Sequence, residues 1–477
     1  MNLAGQVQTL TKDEMQRVHE SVCKLLSEKG MIFQSEHALK LFKKHGCKVE
    51  GQTVFIPQEL VEKSVKQCPG TFTLEAMDPK YNVVVGEGLL IHPAGGEVSI
   101  LDYDGTLRPP TMEDCANIQT LYQHCESVDI GGFQPLSPRD VPDRVKGLHL
   151  TYGAMQKCSK PILSPMELET IQQKEEVLEL FNIAYGKQNH LNEHHLTWHA
   201  VCPNSPYIVS PFACEGIQVY ASHNQPIVLV SAPMSGITSP IFLLSTVILS
   251  LAEMLACLVY AQLVKPGVPV VMSASLTYGN LRYATWECAS PDTATMLATS
   301  IQMFKHYYNL PARSQTGVTS SKICDYQAGM ETMQSLLSSA LAGVNLTSQS
   351  VSSLAGLLIC SLEKTVLDDE LAGRVKWMLK GLQPEQKQWD LTELLDAKPG
   401  QDFLMQESTL AHMYDYYQPT VSDWRTIQAW KDGDSKDVVQ TAHEKVVKIL
   451  AGAPITLLDS AQEKDIASYI RKIEGCL

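Results

Sequence analysis

Eight times between residues 86 and 366, a short run of apolar or β-branched residues is followed by a longer stretch suited to a helix. The runs lie at 89–92, 128–132, 161–164, 197–202, 227–231, 268–275, 312–317 and 344–348. Stretches such as 142–156, 167–185, 291–308 and 326–342 separate them, each with apolar residues at helical spacing. A run that is apolar on both faces reads as a buried parallel strand, and parallel neighbours need a crossover helix, so the repeat confines the chain to an α/β architecture. Eight units in about 270 residues match the number and length of a TIM (β/α)8 barrel. An open doubly wound sheet is the rival, but no glycine-rich phosphate loop follows the first run to support it.

The segment 241–264 is long enough to span a bilayer and carries one charge, Glu253. Pro240 precedes it, Lys265-Pro266-Gly267 stops it and a β-rich run follows at once, so it is expected to be a buried helix of the barrel wall. The flanks read as mainly helical additions. Thr11 and Glu14 fit a capping box and Gly30 a stop, which predicts a helix over 11–29. A helix over 35–44, a strand over 53–56 and a helix opened by Pro57 complete an N-terminal cap, 1–85, before the barrel, 86–366. The C-terminal extension, 367–477, holds Trp377, Trp389, Trp424 and Trp430, four of the six tryptophans, and is expected to pack on the barrel.

Lys plus Arg number 38 against 52 Asp plus Glu, a net charge of −14, which argues against a nucleic-acid grip or attraction to an anionic membrane. The thirteen cysteines are scattered, with no Cys-x-x-Cys pair, and read as reduced, mostly core residues. With no export signal at the N-terminus, the expected compartment is the cytoplasm.

Residues 190–194 contain His190-x-x-Glu193-His194, a form used by one class of zinc peptidase with two histidine ligands and a glutamate base. Gly186 precedes the string and the run at 197–202 follows it, so these residues are expected in a surface connection and no metal is assigned. A zinc hydrolase is kept as the alternative from another class. No Gly-x-Ser-x-Gly elbow and no phosphate-binding loop is present. Chemistry must then come from the strand C-termini and the loops after them. These offer His92 to Glu97, Gly131 to Gln134, Pro203 to Pro206, Ala232 to Ser235, an aromatic-rich 276–287, and Arg313 to Gly317. Ring faces and arginines with few paired carboxylates suit a ligand that joins a cation to a carboxylate.

Several strings together resemble the trimethylamine methyltransferase family: Asp140 to Lys146 with Met155 to Ile162, Val264 to Val270, Gly317 to Lys322 with Asp325 to Gly329, Leu341 to Asn345, and Leu367 to Glu370. The resemblance spans nearly the whole chain. It implies a TIM barrel that passes a methyl group from an amine to the cobalt of a corrinoid (cobalamin) carried by a separate small protein. The trimethylamine enzymes contain pyrrolysine, whereas every position here is a standard residue. Relatives of that kind are expected to act on quaternary amines, whose nitrogen leaves as a neutral tertiary amine without a proton donor. The enzyme's task is then to align one N-methyl group and exclude water.

On this reading Phe133, Tyr278, Tyr283 and Trp286 are cage candidates, and Arg313 or Arg282 is the carboxylate partner. Gln315, Asn204 and His92 are candidates to orient the substrate; no catalytic residue is assigned. Arg313 has a competing structural role as ion-pair partner of Glu97 or Asp325. The expected substrate is glycine betaine, releasing dimethylglycine, with proline betaine, carnitine or γ-butyrobetaine as alternatives. A non-catalytic betaine-binding protein is the remaining alternative. The expected partners are the small substrate, the corrinoid protein and further copies of the chain in a homo-oligomer, with no nucleic acid or membrane.

Overall fold

In the computed structural model, which describes residues 3–132, 134–186, 190–283, 285–383, 389–452 and 458–475, the repeat closes into a ring. Five runs form parallel strands in the order Leu346–Ser348, Ala312–Gln315, Val270–Ala274, Ile227–Ser231 and His199–Val201. The other three complete the circle through a few backbone hydrogen bonds each. Thr347 N donates to Leu90 O at 2.9 Å, Asp129 N to Ile91 O at 3.0 Å, Gly131 N to Pro161 O at 2.9 Å and Ser164 N to Trp198 O at 3.3 Å. A closed ring leaves no strand edge exposed, and this is the TIM-type barrel that the repeat predicts.

The crossover helices are Met112–His124, Asp143–Lys157, Ile171–Ala184, Pro211–Ser222, Leu243–Val264, Pro291–Gln302, Tyr326–Ala342 and Leu362–Leu379. The eighth runs past residue 366, where the sequence placed the end of the barrel. Leu243–Val264 is the one helix among the described residues long and apolar enough to cross a membrane, and most of it is buried in the protein.

At the N-terminus the Thr11–Glu14 capping box opens the helix Lys12–Lys24, which continues as a π turn over Leu25–Lys29. Gly30 then takes φ +72°, where a Cβ would stand 2.7 Å from Val54 O, so only glycine fits. The strand Met31–Phe33 that follows pairs with Thr53–Phe55 and with Ile208–Val209, from the loop after the fourth barrel strand.

A hairpin of Phe72–Leu74 and Val83–Val85 stoppers the opposite end. Its Phe72, Leu74 and Val85 are packed with Ile130, Leu163, Trp198, Val228, Val271 and Leu346, which lie near the starts of the strands. Side chains alternate along a strand, so the residues two further on, including His92, Ser273 and Ser348, also face the barrel axis, one layer nearer the C-terminal mouth.

The tail is anchored on the eighth helix. Glu370 accepts hydrogen bonds from the backbone N–H groups of Thr420 (2.8 Å), Val421 (2.5 Å) and Ser422 (3.1 Å), and Arg374 lies over the rings of Tyr417 and Trp424. Trp377, on the eighth helix, packs edge-on against Tyr417, whereas Trp389 is 88% exposed.

Candidate active site

Arg313 sits at the middle of the seventh strand, in register with Ser273 on one side and Leu346 on the other. Its Nη1 donates to Ser273 Oγ at 2.7 Å and its Nη2 to Ser348 Oγ, so the guanidinium lies flat between the sixth and eighth strands. Nε has no hydrogen-bond partner among the described residues. Only 5% of the residue is exposed, and burial lowers its pKa to about 10, which leaves it charged at neutral pH. Neither acid proposed as a partner reaches it. Asp325 caps the helix Tyr326–Ala342 through Ala328 N (2.9 Å). Glu97 is buried, its carboxyl raised to about 8 by burial, and bears electrostatically on Tyr122 and Cys360, which pack outside the barrel wall. The structural ion pair is therefore not formed: Arg313 is a buried cation without an acidic partner among the described residues.

Around it the structure gathers a polar layer. His92 is buried with its ring edge-on to Trp198, centroids 5.9 Å apart. Burial and then the Arg313 charge push its pKa well below the usual value, so its imidazole is neutral. Gln315 donates through Nε2 to Gln349 Oε1, and Gln349 Nε2 donates to Gly95 O at 3.3 Å. This relay ties the loops after strands seven, eight and one together.

Gln349 holds φ at +59°, and Ser352, Ala355 and Leu357 also have positive φ, so this loop is conformationally strained in the way functional loops often are. Solvent reaches Cys202, yet enclosing atoms raise its thiol to about 11, with Arg313 drawing it back down. Sequence reasoning passed over Cys202, Gln349, Ser273 and Ser348. The signal that could have found Ser273 and Ser348 is their parity with inward-facing Val271 and Leu346.

The loop 276–287 is a hairpin, Thr277–Asn280 against Thr285–Glu287, extended by Met234–Ser235 into a three-stranded flap. Tyr278 opposes Glu287 and Gly279 opposes Trp286, so Tyr278 and Trp286 occupy opposite faces and do not form one cage. Trp286 packs with Cys288, Ala289, Val318 and Leu357. Tyr278 is half-buried, its N–H bonded to Thr293 Oγ1 at 3.0 Å. Tyr283 at the hairpin tip is 65% exposed with Arg282 over its ring at 5.3 Å, which removes both from a desolvated cage or clamp. Asn204 is exposed, its backbone paired with Ile208. Phe133 lies outside the described residues. Of the expected set, His92, Arg313 and Gln315 come together.

Glu253, the single charge of the apolar helix, supports this end. It accepts from Ser205 Oγ and Ser231 Oγ, both at 2.7 Å, and from Tyr207 N at 3.1 Å, fastening the loop after strand four to the end of strand five. The zinc-hydrolase arrangement is absent. His190 and His194 lie at the stoppered end with Glu75, and Glu193 is exposed and outside their cluster.

The family model described as trimethylamine methyltransferase (MTTB) matches residues 1–475. The glycine betaine methyltransferase of Desulfitobacterium hafniense (strain Y51) is 30% identical over 463 residues, covering 97% of this chain and 96% of the relative. Trimethylamine methyltransferase MttB1 of Methanosarcina mazei is 28% identical, covering 98% of this chain and 96% of the relative. Among solved structures, the Methanosarcina barkeri monomethylamine methyltransferase (MtmB) has the same fold, at a TM-score of 0.57 and 12% identity, covering 94% of this chain and 90% of that one. A closed barrel with its polar layer at the mouth, and a match that runs from residue 1 to 475, lead to one assignment: the chain belongs to the trimethylamine methyltransferase family, and it is a methyltransferase with a small-molecule substrate and a methyl-accepting partner.

Proposed function

We propose that the protein transfers a methyl group from a quaternary amine carrying a carboxylate, glycine betaine foremost, to the corrinoid of a separate protein. The observation that carries this reading is Arg313, a buried guanidinium without an acidic partner among the described residues. A substrate carboxylate supplies the missing counter-charge, which a simple methylamine does not. The glycine betaine methyltransferase among the relatives supports the same substrate class.

The corrinoid is the second substrate and supplies a Co(I) nucleophile. The electron pair of the attacking centre forms the new bond to the methyl carbon while the C–N pair returns to nitrogen. Dimethylglycine leaves, and no proton moves. The chain's part is to hold and to exclude water. Arg313 fixes the carboxylate, the Gln315–Gln349 relay sets the walls, neutral His92 adds no competing charge, and the Tyr278 ring is the flap's contribution to the ammonium. Proline betaine, carnitine and γ-butyrobetaine place the same two charges at other spacings.

The test follows Co(I) consumption spectrally with the purified protein, a reduced corrinoid acceptor and a panel of amines. Glycine betaine is expected to react and trimethylamine to be inert. Absence of turnover with every quaternary amine sinks the proposal, and tight betaine binding without turnover would establish a binding protein instead.

A further inference from the structure

At the stoppered end of the barrel, remote from Arg313, two imidazoles and a carboxylate converge. The turn His190–Asn192 is followed by a bond from His194 N to His190 O at 3.1 Å, which brings the two side chains to one face with ring centroids 3.9 Å apart. Glu75 comes from the other side. It directly follows the strand Phe72–Leu74, its N–H donates to His195 O at 2.9 Å, and its Oε1 lies 2.7 Å from His194 Nδ1. One ligand atom from each of the three lies within 4.8 Å of the others.

The cluster is held from behind. Gln225 Nε2 donates to Leu191 O (2.6 Å) and His194 O (2.8 Å), while its Oε1 accepts from Leu196 N (3.0 Å) and Thr197 N (3.3 Å). A single buried amide therefore fixes both ends of the histidine loop. Side chains that only needed an exposed ion pair would not require such support, since exposed pairs contribute little.

We infer that Glu75, His190 and His194 bind a divalent transition metal, zinc foremost, which clips the barrel's stopper to its wall. Two imidazoles and one carboxylate suit zinc, with water in the fourth position; bonds of about 2.0–2.2 Å set the donors about 3.4 Å apart, so the 2.7 Å contact between Glu75 and His194 opens, giving up its hydrogen bond to the metal. The role is structural. Glu193, the general base that a hydrolase of this motif would need, is exposed and not in the cluster.

The experiment strips the full-length protein with a chelator, titrates it with zinc chloride by calorimetry and confirms the stoichiometry by elemental analysis. One zinc per chain is expected, with a rise in melting temperature on binding. Glu75→Gln and His194→Ala should each bind at least about tenfold more weakly. Cobalt(II) in the unaltered protein should give the visible bands of tetrahedral nitrogen and oxygen ligation, a readout independent of any variant's folding. Saturable zinc that persists in a folded His190→Ala/His194→Ala double variant would falsify the site, as would the lack of stoichiometric zinc in the unaltered protein.

Discussion

A buried guanidinium without a counter-charge carries a desolvation penalty of several kcal/mol, so Arg313 is held at a cost to the fold. Two effects of one substitution should therefore oppose each other. Arg313→Met should raise the melting temperature or leave it unchanged, because it removes the desolvation cost and keeps the volume. The same variant should raise KM for glycine betaine by about 10–150-fold, the loss of a charged hydrogen bond of roughly 1.5–3 kcal/mol. Thermal melts and initial rates check both, and an unchanged KM would move the clamp elsewhere. Tyr278→Ala should raise KM by about 2–30-fold, for a cation-π contact of order 0.5–2 kcal/mol.

The position of Arg313, His92 and Gln315 at the strand ends was legible in the sequence, because the strands announce themselves. The placement of Tyr283, Arg282 and Trp286 was not legible, because residue type says nothing about direction. Only the hairpin register shows that Trp286 opposes Gly279 while Tyr278 opposes Glu287.

Among the elements, Leu243–Val264 shows how one charge in an apolar helix can organise a distant loop. Glu253 is buried and fully engaged, with the Ser205 and Ser231 hydroxyls and the Tyr207 N–H as donors. Glu253→Ala would leave these donors without their acceptor, at about 1–3 kcal/mol for each that stays buried and unsatisfied. The expected outcome is a lower melting temperature and a loop over 203–209 that exchanges its amide hydrogens faster, which hydrogen-exchange mass spectrometry reads directly. The sequence marked Glu253 as an oddity and the helix as buried. Its partners were not legible, since they join a serine before a tight turn to a serine at the end of another strand. The flap was missed for a related reason: its strands are short, and the pairing that creates them is non-local to the Met234–Ser235 segment.

For the whole molecule, the barrel was legible and the tail was not. Eight buried strands leave a periodic signature, whereas residues 389–432 form only short helices among bends, docked largely through Glu370. Burial alone would raise the Glu370 carboxyl. Hydrogen bonds from Ser422 and Arg374 and from the backbone N–H groups of Val421 and Ser422 outweigh it and hold the pKa near about 2, against the usual 4.5. A depressed carboxylate stabilises the fold above its unfolded pKa and loses that contribution as pH falls from about 4.5 to about 2, here about 3 kcal/mol in full. Glu370→Gln should thus lower the melting temperature near pH 7, with the gap to the unaltered protein closing as the pH drops through that window.

The stopper has a kinetic corollary. With Phe72, Leu74 and Val85 filling the far end, the barrel is a blind well with one door. On the proposed function, amine and corrinoid protein share it, so the amine enters first and its product waits for the acceptor to undock. Excess acceptor should then slow turnover at low betaine, the pattern of an ordered queue.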